Sequence, residues 1–134
     1  MVEPQHLRDF PVHLAADGQA LGLDRFTGDP SWYAAYEHQC AADGPAGRLV
    51  TWHSFDCSWD SWEMHPSGDE IVLCVEGAID LIQDDDGAIV STALSSGQWA
   101  INNAGTWHTA DVSQGSTASC VFITSGLGTQ HRAR

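Results

Sequence analysis

The chain of 134 residues carries 18 acidic side chains against 5 basic ones, all arginine, for a formal net charge of -13. A field of that sign repels phosphate backbones and anionic lipid, so neither nucleic acid nor a membrane is expected as a partner. A hydrophobic fraction of 43% suits one domain with its own core, and no apolar run approaches the ~20 residues that cross a bilayer.

The N-terminus, MVEPQHLRDFPVHLAADG, has no basic start followed by an apolar block. It reads as no secretory leader, and a cytoplasmic location is expected. Cys40, Cys57, Cys74 and Cys120 are widely spaced, with no C-x-x-C pair, so they are read as small buried hydrophobes rather than a disulfide framework. Residues 1–45 read as an N-terminal extension with one short helix. Asp29-Pro30-Ser31 supplies an N-cap and a first-turn proline, WYAAYEHQCAA follows, and Gly44-Pro45 ends it. Trp32, Tyr33 and Tyr36 are expected to pack on a sheet face or on a partner subunit.

From Arg48 the texture changes to short runs separated by turn residues. GRLVTWHSF and SWDSWEMH read as strands, and Pro66-Ser67-Gly68-Asp69 as a turn. EIVLCVEG is apolar enough to predict cover on both faces. AIDLIQ and AIVSTAL flank Asp84-Asp85-Asp86-Gly87, a hairpin tip whose aspartates lack the spacing of a calcium loop. QWAIN, WHTADV and STASCVFIT complete about eight strands at regular spacing, the pattern of an all-β sandwich or barrel. The sandwich is expected over residues 46–126, with a tail over 127–134.

Glu63 and His65 stand two apart in a predicted strand and so share a face. Glu70 follows a tight turn and His108 lies in a later strand. If the sheet closes on itself, the four can meet. Two imidazoles and two carboxylates form a donor set for a divalent transition metal. Parity suggests Val72, Cys74, Trp99, Ile101, Ala110 and Phe122 as the wall of the pocket. Trp52, Trp59 and Trp62 are placed near its mouth or on the outer face. His38, His53 and His131 are read as surface residues.

The spacing of these residues resembles the cupin family. Its first signature, G-x5-H-x-H-x3,4-E-x6-G, is met by His65, Glu70 and Gly77, with Cys57 and Glu63 in place of the opening glycine and the first histidine. Its second, G-x5-P-x-G-x2-H-x3-N, is met by Gly97, Gly105 and His108, with Asn103 and Val112 in place of the proline and asparagine. The resemblance covers residues 57–112. It implies a double-stranded β-helix, or jelly-roll β-sandwich, with a short N-terminal helix. It also implies a metal held by Glu63, His65, Glu70 and His108.

What the resemblance implies about function is broad, because one fold hosts many chemistries. The expectation is a metal-binding enzyme on a small organic molecule, of dioxygenase, isomerase, lyase or decarboxylase type. Zn, Fe(II), Mn or Ni would act there as Lewis acid or oxygen-activating centre, with Glu70 or Glu63 as base. The alternative is a non-catalytic module that binds or senses a small molecule. A metal-free sugar or nucleotide-sugar modifier ranks lower, since so few basic residues are available to hold phosphate. A homodimer is expected, with the aromatic N-terminal segment exchanged between subunits to cover an exposed edge.

Overall fold

In a computed structural model, which describes residues 3–134, the chain forms two antiparallel sheets facing each other. In chain order the strands are β1 (Val12–Leu14), β2 (Ala20–Gly22), β3 (Arg48–Phe55), β4 (Ser61–Met64), β5 (Glu70–Glu76), β6 (Ala78–Asp85), β7 (Ala88–Ser95), β8 (Trp99–Asn102), β9 (Trp107–Asp111), β10 (Ala118–Thr124) and β11 (Gln130–Ala133). The first sheet has the order β2-β1-β3-β10-β5-β8 and the second β11-β4-β9-β6-β7. A helix, α1 (Pro30–Gln39), and a 3-10 turn over Ala41–Ala46 lie between β2 and β3. Among the described residues, no helix is long and apolar enough to cross a membrane.

The eight strands expected after residue 46 all form, and the two ends differ from expectation. The N-terminal extension carries two short strands besides its helix. The strands β1 and β2 pair with each other, and β1 pairs with β3, so the N-terminal segment extends the six-stranded sheet. Residues 127–134 are not a loose tail, because β11 pairs with β4. Short strands of mixed polarity carry no two-residue period of their own, and pairing with a neighbour is what makes them strands.

The core clusters Val72, Cys74, Ile79, Leu81, Leu94, Ala110, Val112, Ala118, Cys120 and Phe122. Cys74 and Cys120, opposed across β5 and β10, are free and buried as expected. Cys57 is exposed and Cys40 half-buried, because both lie in connections outside the sheets. Inward rows of the first sheet run across strands by register: Thr51, Phe122, Val72 and Ala100 form one, and Leu49, Thr124, Glu70 and Asn102 the next.

The opposite face of that sheet is also apolar, and only partly covered. Trp52, Val121, Leu73 and Trp99 stand side by side in one row. Val12, Val50, Ile123, Ile71 and Ile101 form the next. Trp99 is 63% and Ile101 41% exposed. On the outward side of β5, Ile71, Leu73 and Val75 are only half-buried by the described residues.

Two features fix α1 against this frame. His13, buried on β1, lies with Nδ1 2.7 Å from the Tyr36 hydroxyl and Nε2 2.6 Å from Asp43 Oδ2. Gly47 makes room for it, since a Cβ there would stand 2.8 Å from His13 Cε1. The bend between β5 and β6 depends on Gly77, at φ 71, where a Cβ would lie 2.2 Å from the Thr117 carbonyl oxygen. Gly77→Ala is therefore expected to lose about 2 kcal/mol or more, from the positive φ plus a backbone clash. A lowered urea midpoint at unchanged slope would register the loss, and an unchanged midpoint would contradict it.

Candidate metal centre

Four side chains from both sheets converge between them. Glu63 on β4 is directly opposite His108 on β9. His65 follows one residue after β4, where its carbonyl accepts the Gly105 amide at 2.9 Å. Glu70 enters from the other sheet at the start of β5. His65 Nε2 lies 3.0 Å from Glu70 Oε2 and 3.9 Å from Glu63 Oε1. His108 Nε2 lies 3.3 Å from Glu70 Oε1 and 4.0 Å from Glu63 Oε2. One ligand atom each of Glu63, His65 and His108 fall within 4.8 Å of one another, a cluster that could hold a metal. All four residues singled out in the sequence are thus brought together.

Outer hydrogen bonds decide which nitrogen each imidazole offers. The Thr129 hydroxyl donates to the Gly126 carbonyl at 2.8 Å, so it can only accept from His65 Nδ1, 2.7 Å away. His108 Nδ1 faces the Thr106 carbonyl at 3.2 Å and must be the donor there. In the neutral rings the Nε2 lone pairs therefore face the carboxylates. Both Nε2 atoms are buried without a well-directed hydrogen-bond partner, despite their closeness to Glu70. A buried polar atom left in that state costs free energy. Lone pairs and carboxylate oxygens gathered on one point are the donor set a divalent cation satisfies, and imidazoles oriented by outer partners are a common feature of metal sites. The residues present fit such an ion.

Glu70 is 3% exposed and held on both sides. Asn102 Nδ2 donates to its Oε1 at 3.0 Å, and the Thr124 hydroxyl donates to its Oε2. The cross-strand row of Thr124, Glu70 and Asn102 places these donors. Burial pushes the Glu70 carboxyl up, but the adjoining His108 and His65 imidazoles outweigh it and hold the group well below the usual carboxylate range. For His65, burial opposes the charged ring, and the neighbouring carboxylates of Glu70 and Glu63 more than offset it, so its pKa is raised. Glu63, with 28% of its side chain exposed, is the carboxylate of the four that faces open space.

That space is a cavity of about 1160 Å³ lined by Glu63, Glu70, α1 and the inner faces of β3 and β10. Aromatic rings form much of its wall. Phe55 packs on Trp59 at 5.4 Å between centroids, Trp59 on Phe122 at 6.0 Å, and His53 on Phe122 at 5.6 Å. Trp59 also stands 6.3 Å from the His108 ring. Tyr33 and Tyr36 line the side formed by α1. Burial pushes the His53 imidazole below its ordinary value, against a smaller opposing effect of Glu70.

The expected pocket wall needs correction. Of its six residues only Phe122 lines the cavity. Val72, Cys74 and Ala110 share the inward side but are sealed in the core. Trp99 and Ile101 point to the opposite face, because Glu70 pairs with Asn102, which makes Ala100 and Asn102 the inward residues of β8. His53, read as a surface residue, lines the cavity. His131 is exposed as expected, yet β11 sets it opposite Glu63, with Nε2 3.5 Å from Oε1. Thr124, Thr129 and Asn102 carried no signal in the sequence, since the roles of Thr124 and Asn102 come from cross-strand register and that of Thr129 from the turn before β11.

No family model and no curated protein matches the chain. Solved structures do. An oxalate oxidase matches with a TM-score of 0.54 at 14% identity, over 61% of this chain and 44% of the oxidase. An uncharacterized conserved protein with a double-stranded β-helix domain from Klebsiella pneumoniae matches with a TM-score of 0.54 at 20% identity, over 65% of this chain and 76% of that one. A CENP-C domain from Drosophila melanogaster matches with a TM-score of 0.50 at 13% identity, over 55% and 56%. The chain spans less than half the length of the oxalate oxidase. At such identities the likeness speaks for the fold.

Proposed function

This chain has the cupin fold, and from that premise we propose that it is a metal-binding enzyme acting on a small organic molecule in the cavity beside Glu63. The observation that carries the reading is the pair of buried, unpartnered Nε2 atoms of His65 and His108 facing the carboxylates of Glu63 and Glu70. A divalent Zn, Fe(II), Mn or Ni ion held by these four would supply a Lewis acid or, for the redox-active metals, an oxygen-activating centre.

The chain's own residues divide the remaining work. Glu70, ionised and pinned by Asn102 and Thr124, serves as a fixed ligand and is a poor proton acceptor. Glu63 borders the cavity and adjoins His131, so of the two carboxylates it is the better placed to take a proton from a bound substrate and pass it outward. Thr129 and the Thr106 carbonyl hold the two imidazoles in the ligating tautomer. The aromatic wall excludes water from one side of the site. Isomerase, lyase, decarboxylase and dioxygenase outcomes all use these parts.

Elemental analysis of the purified chain, before and after reconstitution with each metal, tests the reading. A stoichiometric ion is expected. No ion after reconstitution would overturn it and leave a non-catalytic small-molecule binding module in its place.

We also propose that two copies pair through the outer face of the six-stranded sheet. Its two central rows are apolar throughout, on a chain whose net charge of -13 makes approach elsewhere repulsive. Light scattering at micromolar concentration should give twice the chain mass, and Trp99→Glu with Ile101→Glu should give the single mass. A monomeric parent protein would refute the pairing.

A further inference from the structure

We propose that the cavity takes a planar aromatic ligand carrying no negative charge, and discriminates against the same shape with a carboxylate. The inference rests on the reading of this cavity as the ligand site of the metal centre. Two independent features of the cavity support it.

The first is shape and surface. Phe55, Trp59, Phe122 and His53 form one continuous group of rings on the inner side of β3, β10 and the loop after β3, and this group reaches the His108 ring. Tyr33 faces the same space from α1. Rings in offset or edge contact leave π-faces and edges that a further flat ring can join in the same geometry. The volume of about 1160 Å³ holds such a ring together with substituents.

The second is charge. Among the described residues, no arginine lines the cavity, and the chain has no lysine. The lining acids are Glu37, Asp56, Asp60, Glu63 and Glu70. With two carboxylates in the ligand set, a divalent ion is fully neutralised by its own ligands. A ligand set of three imidazoles and one carboxylate would leave it a net positive charge. No positive charge then remains to hold an anion, while Glu37, Asp56 and Asp60 still oppose one. An anionic ligand would lose solvation on entry and find neither a guanidinium nor an ammonium partner. A neutral or cationic ring meets no such penalty.

Benzamide, benzamidine and benzoate share one planar shape and differ in charge. Their binding, followed by quenching of tryptophan fluorescence and by calorimetry, is measured on the metal-free protein and on the Zn-loaded protein. Benzoate is expected to bind roughly tenfold or more weakly than benzamide in both states, and benzamidine at least as tightly as benzamide. Asp56→Lys with Asp60→Lys, two exposed positions outside the ligand set, should narrow the gap several-fold by strengthening benzoate and weakening benzamidine. Benzoate binding as tightly as benzamide in either state overturns the inference, as does a gap that the lysines leave unmoved. Absence of saturable binding by all three overturns the aromatic part. The metal-free arm separates the two readings: a chain that holds no metal yet keeps the charge order loses the metal centre and retains this selectivity.

Discussion

His108→Ala is expected to hold no metal under conditions in which the parent chain holds a stoichiometric ion. His108 is completely buried, is paired in register with Glu63, and supplies one of two imidazole nitrogens to the cluster. Loss of an outer-shell partner typically lowers metal affinity 10- to 100-fold, and loss of a ligand itself should exceed that. The substitution also empties space beside Trp59 and the core, at a cost of about 2–4 kcal/mol, so circular dichroism must show that the fold survives. Glu63→Gln provides the control. Its side chain is partly exposed, so the change should weaken metal binding while leaving the melting temperature of the metal-free protein nearly unchanged. Because a bound ion stabilises the native state by mass action, added metal should raise the melting temperature of the parent and not that of His108→Ala. Retention of metal by both variants would sink the four-residue site.

The second large effect concerns Glu70 in the metal-free protein. Its folded pKa lies below the ordinary value of 4.5, so its contribution to stability is complete above that pH and is lost as pH falls through the depressed folded value. The raised pKa of His65 acts in the opposite sense. Its contribution is complete below 6.5 and is lost as pH rises through the raised folded value. Both contributions are therefore whole between about pH 4.5 and 6.5. Denaturant midpoints of the metal-free chain should be highest in that interval and fall on both sides. Glu70→Ala should cost about 3 kcal/mol within the interval, since it strands two buried imidazoles and the Asn102 and Thr124 donors, and it should flatten both limbs. A profile that keeps its acid and alkaline slopes in Glu70→Ala would show that the stability of the cluster does not pass through this carboxylate.

The two effects together distinguish a metal site from a structural ion pair. A purely structural pair would keep its proton on His65 whether or not metal is present. Here the ring nitrogens lie close to Glu70 without a well-directed hydrogen bond. Metal should therefore supplant the proton on His65, and the alkaline limb should disappear once the ion is bound.

Much of this protein is decided by local pattern. The runs after residue 46 alternate with turn residues at a spacing that only strands can use, and all eight form. Glu63 and His65 were legible as neighbours because residues two apart in a strand share a face, whereas Glu70 and His108 joined them through the resemblance to the cupin signatures. Gly77 was legible as the closing glycine of the first cupin signature, and the structure supplies the reason, a positive φ with the Thr117 carbonyl where a side chain would stand. Other features depended on long-range register. In β8 every residue but the last is apolar, so alternation supplied two equally good phases, and only the pairing of Glu70 with Asn102 turned Trp99 and Ile101 outward. The strands β1, β2 and β11 have too few residues to declare a period, and they exist because an edge of β3 or β4 offers unpaired backbone groups. The cavity likewise arises when α1 is pinned by the His13, Tyr36 and Asp43 contacts against strands far along the chain. Sequence alone pointed to the eight central strands, through runs and turns of a few neighbouring residues, and to four residues that could hold an ion, through the resemblance to the cupin signatures. The tertiary structure decided what surrounds that ion, because hydrogen bonds between distant strands set the phase of every inward-facing side chain.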